Sequence, residues 1–405
     1  MTTGSSFDEQ NKWGLPKTVE FCSRCVISNQ RPSTVVEHEH AKTSRKPTIG
    51  FLDGICAACR YHEYKYHGID WTERERQLRD LCDRFRSRNG SYDILVPGSG
   101  GKDSVYVAHI LKHKYDMNPL TVTWAPHKYT DIGWKNLQSW IHAGFDNVLI
   151  TPNGKVHSTL TRLAFEKLLH PFQPFIMGQK LVAPRLALEK GIKLVMYGES
   201  QAEGGSGLGW DDPRMPTSFF ARPREKMLDI ELGGVPFAEL ADMGLRHTDM
   251  QPYIPLDIAA VEAAKIEVHF MSYYGLWRPQ DNFYYATEHC GFSPNPERSE
   301  GTYSKYSSLD DKIDGFHYFT IFVKFGIGRA TYDAAQEVRN AHITREEAVA
   351  LVHKYDGEFP KKYFAEFLDY IGIPEQRFWE LIDAGRSSHL WQRTDEGWSL
   401  KHRVR

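Results

Sequence analysis

"LVPGSGGKDS", residues 95–104, sets three glycines, a lysine, an aspartate and two serines behind a short apolar run. A Walker loop, G-x-x-x-x-G-K-[ST], needs a hydroxyl directly after its lysine to reach magnesium. Here Asp103 holds that place and Val96 stands where the first glycine belongs, so this is a different phosphate loop. Gly98, Gly100 and Gly101 let backbone amides converge on one point without Cβ obstruction, at a helix N-terminus whose dipole favours an anion. Ser99 and Ser104 add hydroxyls, Lys102 adds a positive charge, and Asp103 is placed for a magnesium ion. The apolar run before the loop, "YDILV", predicts a strand, and "SVYVAHILKHK" after it predicts a helix. The same alternation continues through "LTVTWA", "WKNLQSWIHAG", "NVLIT", "TLTRLAFEKLL" and "KLVMYGES". That pattern predicts an α/β fold with a doubly wound parallel sheet, binding its ligands at the carboxyl ends of the strands.

The remainder of the chain frames this unit. With 405 residues, 41% hydrophobic and 25% charged, the composition is that of a globular protein and not of a disordered or fibrous one. A net charge of −2 gives no global basic field to recruit nucleic acid. No apolar run reaches the roughly 20 residues of a bilayer span. Residues 1–18 lack the order of a secretory signal and predict a polar, flexible tail, so a cytoplasmic protein is expected. Cys22-Ser-Arg-Cys25 and Cys56-Ala-Ala-Cys59 form two C-x₂-C knuckles, which together predict a closed structural zinc site, with an iron–sulfur cluster as the rival. Cys82 and Cys290 are expected as packed thiols.

Residues 70–88 predict an amphipathic linking helix, with Thr72 and Glu75 at capping-box spacing. Beyond residue 205 comes a glycine-rich loop, "GGSGLGWDDPRMPTS", a candidate lid. "FHYFTIFVKFGIGRAT" follows with the look of a strand running into a glycine turn, and residues 344–354 predict a capped helix. The expected organisation is a tail (1–18), a zinc module with its linking helix (19–88), a nucleotide domain (89–330) and a helical C-terminal region (331–405).

The motif S-G-G-x-D-S resembles the signature of the PP-loop ATP pyrophosphatase superfamily. The resemblance implies that the loop grips the pyrophosphate end of ATP and that AMP is transferred to a substrate oxygen, with ATP and Mg²⁺ bound by Ser99, Gly100, Gly101, Lys102, Asp103 and Ser104. It also implies an adenine contact near Thr123 and Trp124, and a functional Glu199 at the end of "YGES". Longer strings, "FCSRCVISNQRP", "MNPLTVTWAPHKYTDIGWKN", "TPNGKVHSTLTRLAFEKLLHPFQPF" and "FVKFGIGRATYDAAQEVRN", are similar to the N-acetyl sugar amidotransferase family. That resemblance implies conversion of an acetamido group on a nucleotide-activated sugar to an acetamidino group, in surface-polysaccharide or nonulosonic-acid synthesis. It further implies a partner glutaminase supplying ammonia and a tunnel-forming synthase-like subunit between them.

Lys324 and Arg329 are candidates for clamping phosphate or the sugar's anionic part, and His170, Gln173 and Gln179, expected on a loop, for reading sugar hydroxyls. Where the family runs close to Y-G-E-N-x-x-E-Y-G, Glu199 and Glu203 match, but Ser200 and Gly204 depart from it. The alternative is a PP-loop tRNA-modifying thiolase, against which the near-neutral charge counts.

Overall fold

The computed structural model describes residues 11–33, 35–41, 47–207 and 210–405. The first ten residues of the expected tail, and Leu208 and Gly209 of the glycine-rich loop, lie outside the described residues. Five strands form the central sheet: β1 (Ile94–Pro97), β2 (Pro119–Trp124), β3 (Asp146–Ile150), β4 (Leu194–Tyr197) and β5 (Glu267–Phe270). All pair in parallel, in the order β5-β4-β1-β2-β3. The chain therefore winds outward from β1 to β3, then returns to lay β4 on the other side of β1. Such a reversal opens a crevice at the carboxyl ends of the two adjacent strands. The crevice falls between the loop after β1, which is S-G-G-K-D-S, and the loop after β4, which carries Glu199.

Both faces of the sheet are covered, as parallel sheets require. Alternate residues of β1 point to opposite layers. Leu95 joins a core with α5 (Gly154–Leu168) and α6 (Gln173–Lys190). Ile94 and Val96 join another with α2 (Trp71–Phe85), α3 (Lys102–His113) and α4 (Asp131–His142). On this second face α7 (Pro279–Cys290) completes the layer.

The C-terminal region is helical: α8 (Asp314–Phe325), α9 (Arg329–Arg339), α10 (Arg345–Tyr355), α11 (Phe364–Ile371) and α12 (Glu375–Gly385), closed by a hairpin of Trp391–Thr394 and Gly397–Leu400. Phe316, Phe319 and Val323 of α8 enter the first core beside Phe367, Phe378 and Ile382. The cysteine pairs sit in a separate small core, with Cys59 on α1 (Ala57–His67) packed over Ala334 and Ala335 of α9 and Ala348 and Val352 of α10.

Four local expectations change. The stretch expected as a strand at 316–325 is helix α8, because Phe316, Phe319, Thr320 and Val323 are buried at i, i+3, i+4 and i+7. Gly326, at φ +69°, ends it in the left-handed conformation that glycine adopts without strain. Gln173 and Gln179 lie on α6 rather than on a loop, since Pro174 in its first turn is compatible with helix. α2 is capped by Asp70, whose carboxylate accepts from Thr72 and Glu73 N–H at 3.0 and 3.1 Å, while Glu75 pairs with Arg79 at 2.7 Å. Residues 11–18 are not a free tail: Leu15 is buried with Phe325 and Trp391, and Trp13 donates to the Gly385 carbonyl at 2.8 Å. Among the described residues no helix is long and apolar enough to cross a membrane.

Candidate active-site cleft and cysteine centre

The loop after β1 is shaped by two glycines that nothing else could replace. Gly100 has φ +82°, and a Cβ there would lie 2.7 Å from the Leu137 backbone nitrogen. A Cβ on Gly98 would lie 2.1 Å from the Cβ of Ser104. With both absent, the chain turns tightly and Gly101 caps α3 with no side chain of its own in the way. Lys102 and Asp103 open the helix, and Lys102 Nζ lies 2.5 Å from Asp103 Oδ2. The other oxygen, Asp103 Oδ1, accepts from Asn282 Nδ2 of α7 at 2.9 Å, which fixes the carboxylate. Ser104 turns inward and donates to the Gly101 carbonyl at 3.0 Å. Ser99 faces Asp310, whose carboxyl burial holds above its usual range against that hydrogen bond.

Opposite the loop stands the C-terminal region, and the two enclose a cleft of about 130 Å³. Arg329, Asp333, Gln336, Glu337 and Asn340 all reach it, a spacing of i, i+4, i+7, i+8 and i+11 running along α9 and past its end. Arg329 pairs with Asp333 at 3.2 Å, donates to the Tyr318 hydroxyl and lies 4.5 Å over that ring. Burial would lower the pKa of its guanidinium, but Asp333, Tyr318 and Asp314 outweigh it and raise it. Asp333 is itself held by Thr302 at 2.7 Å. Among the walls, Asp103, Glu199, Asp333 and Glu337 stand against Lys102, Arg329 and His342, an excess of acid that a bare triphosphate would meet as repulsion and a metal-escorted one would not.

Glu199 occupies the meeting point. It lines this cleft and also a larger cavity of about 440 Å³, walled by Arg31, Glu37, His40, Lys180, Tyr197 and Tyr332. Water reaches its carboxyl, but protein crowds it from several sides. Burial, then Glu203 and Asp103, push its pKa up to about 7 against the pull of Lys102. Glu203 is bound by Lys65 of α1, whose ammonium sits 3.0 and 2.9 Å from the two carboxylate oxygens and also donates to the Trp277 carbonyl. Asp333, Glu337, Asn282 and Lys65 were missed from sequence. The stripe R-x₃-D-x₂-Q-E-x₂-N at 329–340 was the signal available, and it has the look of a solvated helix face.

Several expected residues stand elsewhere. Trp124 is 4% exposed and belongs to the core, its ring filling the space that Gly178 leaves, where a Cβ would lie 2.3 Å away. Its indole is thus enclosed and presents no face for adenine. Thr123 is fully buried and its hydroxyl accepts from Asn147 at 3.0 Å. Lys324 is 2% exposed and donates to the Leu168 carbonyl at 3.1 Å, away from the cleft that Arg329 enters. Gln173 clamps backbone, donating to the Glu37 carbonyl at 2.9 Å and accepting from Gly233 N–H at 2.9 Å. His170 is buried beside Glu37, and of the three only Gln179 lines the larger cavity.

The four cysteines converge as the knuckle spacing predicts. Their sulfurs all lie within 4.8 Å of one another, and every one is buried. Cys22–Cys59 and Cys25–Cys56 are 3.8 and 3.7 Å apart. A tetrahedral ion with metal–sulfur bonds of about 2.3 Å spaces its thiolates about 3.8 Å apart. The residues therefore fit a single four-coordinate metal, and with all ligand positions filled by protein its role is structural. Cys82 and Cys290 are buried elsewhere in the second core.

Residues 300–405 match the family model described as "LPS biosynthesis protein WbpG-like, C-terminal domain". This stretch of the chain is thus similar to that C-terminal domain. This domain supplies the far wall of the cleft, including Arg329 and Asp333, and the match supports the N-acetyl sugar amidotransferase family indicated by the long strings. It begins inside the range 89–330 expected for the nucleotide domain. Among solved structures, the U34-tRNA thiolase NcsA from Methanococcus maripaludis with its [4Fe-4S] cluster is 13% identical, over 86% of this chain and 95% of that one, with a TM-score of 0.26. An overlap that loose bears on neither fold nor function. No curated protein matches the chain.

Proposed function

We propose that this protein is an ATP-dependent, AMP- and pyrophosphate-forming amidotransferase that converts an acetamido group of a nucleotide-activated sugar to an acetamidino group, in lipopolysaccharide or related surface-polysaccharide synthesis. The observation that carries the reading is the cleft at the sheet's switch point. One wall is the S-G-G-K-D-S loop and the other is the WbpG-like domain, with Glu199 shared between the cleft and the larger cavity.

In this scheme the loop amides and Lys102 hold the β- and γ-phosphates. Asp103 is the residue for the magnesium that escorts them, and that ion would offset the acidic excess of the walls. The sugar lies in the larger cavity with its acetamido group toward Glu199. The carbonyl oxygen attacks the α-phosphorus, the bond to the β-phosphate oxygen breaks, and pyrophosphate leaves with that electron pair. Ammonia then adds to the imidate carbon, Glu199 accepts a proton from the added nitrogen, and the C–O bond breaks to release AMP and the amidine. A carboxyl titrating near neutrality suits that base. Arg329, a bidentate-capable cation held by Asp333, is placed for the developing charge on AMP or pyrophosphate.

Ammonia comes from a separate glutaminase, with a synthase-like subunit between the two. The 3.7–3.8 Å sulfur spacing favours zinc over a cluster, whose several irons would hold the thiolates farther apart. Gly204 supports a sugar specificity different from relatives bearing tyrosine there, since a Cβ would lie 2.9 Å from the Arg31 guanidinium that takes the space.

The test is to incubate the protein with ATP, magnesium, ammonium and a panel of nucleotide-linked acetamido sugars. AMP and pyrophosphate should form in step with a sugar in which NH replaces oxygen. ADP and orthophosphate, or no sugar-dependent turnover across the panel while thiolation of tRNA proceeds, would defeat the proposal.

A further inference from the structure

Beside the larger cavity, which Glu37 and His40 line, three ligating side chains converge away from both the phosphate loop and the cysteines. Glu37 and His40 come from the segment between the two cysteine pairs, and His170 from the turn between α5 and α6. One ligand atom from each lies within 4.8 Å of the others, and all three residues are buried. Glu37 Oε2 is 3.5 Å from His40 Nε2 and 3.7 Å from His170 Nε2. Both separations lie at or beyond the outer limit of a hydrogen bond, and Oε2 is buried without a hydrogen-bond partner. A buried carboxylate oxygen left so costs free energy unless something else meets it. The spacing suits an ion: bonds of about 2.1 Å in tetrahedral array hold the ligand atoms about 3.4 Å apart.

We propose that Glu37, His40 and His170 form a second metal site, which binds a divalent cation of the zinc type. Two imidazoles and one carboxylate select such borderline ions over magnesium or calcium, which prefer all-oxygen shells. Lys180 stands 3.4 Å from the other oxygen, Glu37 Oε1, and leaves Oε2 to the ion. Its charge, and that of Lys324 near His170, weaken the site. Because Glu37 and His40 line the cavity, the fourth coordination position opens toward it. Three protein ligands and one open position are the pattern of a metal that meets a molecule from outside, in contrast to the closed cysteine centre. The ligand that completes the shell is water or an anionic oxygen of the molecule held in the cavity. The site itself does not depend on the amidotransferase reading.

The experiment titrates Co²⁺ into the full chain stripped of metal, with absorption spectra and metal counted per chain by mass spectrometry after gel filtration. The expected result is one equivalent that gives near-ultraviolet thiolate-to-cobalt absorption and a second that adds only weak visible bands. The variant His40→Ala/His170→Ala should lose the second equivalent and keep the thiolate band, which also reports that its fold and cysteine centre persist. Glu37→Gln should weaken the second equivalent at least tenfold. Wild-type protein that saturates at one equivalent, or a double variant that binds as much as wild type, would overturn the proposal. The wild-type count decides the matter even where a variant fails to fold.

Discussion

Replacing Lys65 by methionine strands a carboxylate. Lys65 is 1% exposed and its ammonium contacts both oxygens of Glu203, at 3.0 and 2.9 Å. Removing one partner of such a pair typically costs about 3–5 kcal/mol, because the other charge is left buried alone. Here the loss has a ceiling, since Glu203 can take up a proton instead. From an ordinary value of 4.5 to pH 7 that proton costs about 1.36 kcal/mol per pH unit, about 3.4 kcal/mol in all. At pH 5 the same step costs about 0.7 kcal/mol.

The sign follows from linkage. The variant's Glu203 has a folded pKa above its unfolded one, so the unfolded state binds fewer protons and stability falls as pH rises through 4.5 to 7. Urea unfolding at both pH values should therefore show Lys65→Met about 3 kcal/mol below wild type at pH 7 and within about 1 kcal/mol at pH 5. The double variant Lys65→Met/Glu203→Gln should recover most of the loss at pH 7. An equal loss at both pH values, with no recovery in the double variant, would refute the ion pair as the source of the effect.

Further outcomes can be checked on the same protein. Asp103→Asn and Lys102→Ala should each lower AMP formation at least a hundredfold while circular dichroism and metal content stay unchanged, because both side chains face the cleft and neither supports the core. Glu199→Gln should slow turnover and remove the acid limb of the pH–rate profile, which in wild type falls below about pH 7 as the base takes its proton. Stripping the cysteine metal, or Cys25→Ser, should reduce thermal stability and expose the small core at α9 and α10, seen as faster proteolysis of residues 11–60.

The parallel sheet and its loop were legible because β1, β2 and β4 are short, doubly buried apolar runs between helices, and because Gly98 and Gly100 are demanded by local backbone. The fifth strand, β5, was missed: "EVHF" is too brief and too polar at Glu267 and His269 to stand out. α8 was misjudged for the opposite reason. Phe, Tyr, Ile and Val dominate it, and their strand preference hides a helical burial pattern that only its partners on α11 and α12 reveal. Trp124 shows the limit at the site itself. A strand end at the active edge has one face to the crevice and one to the core, and Gly178, 54 residues away in sequence, decides which side receives the indole. The far wall was hidden because charges spaced along a helix look the same whether they face water or a cleft.

Helices α1 and α9 explain why a buried metal belongs in this architecture. α1 begins directly after Cys56, carries Cys59 in its first turn, and two turns later presents Lys65 to Glu203 beside Glu199. α9 rests Ala334 and Ala335 on the cysteine module, where small side chains allow close approach, and turns Arg329, Asp333 and Glu337 to the cleft. The cysteine module thus sits between the helix behind the Glu199 loop, which carries Cys59, and the helix of the opposite wall, which packs on it. α1 cannot shift without distorting a thiolate ligand or the Lys65–Glu203 pair, and α9 is held against it by the packing of Ala334 and Ala335. The separation between the two walls is therefore set by ionic and packing contacts outside the cleft, and the side chains that face it remain available to meet a ligand.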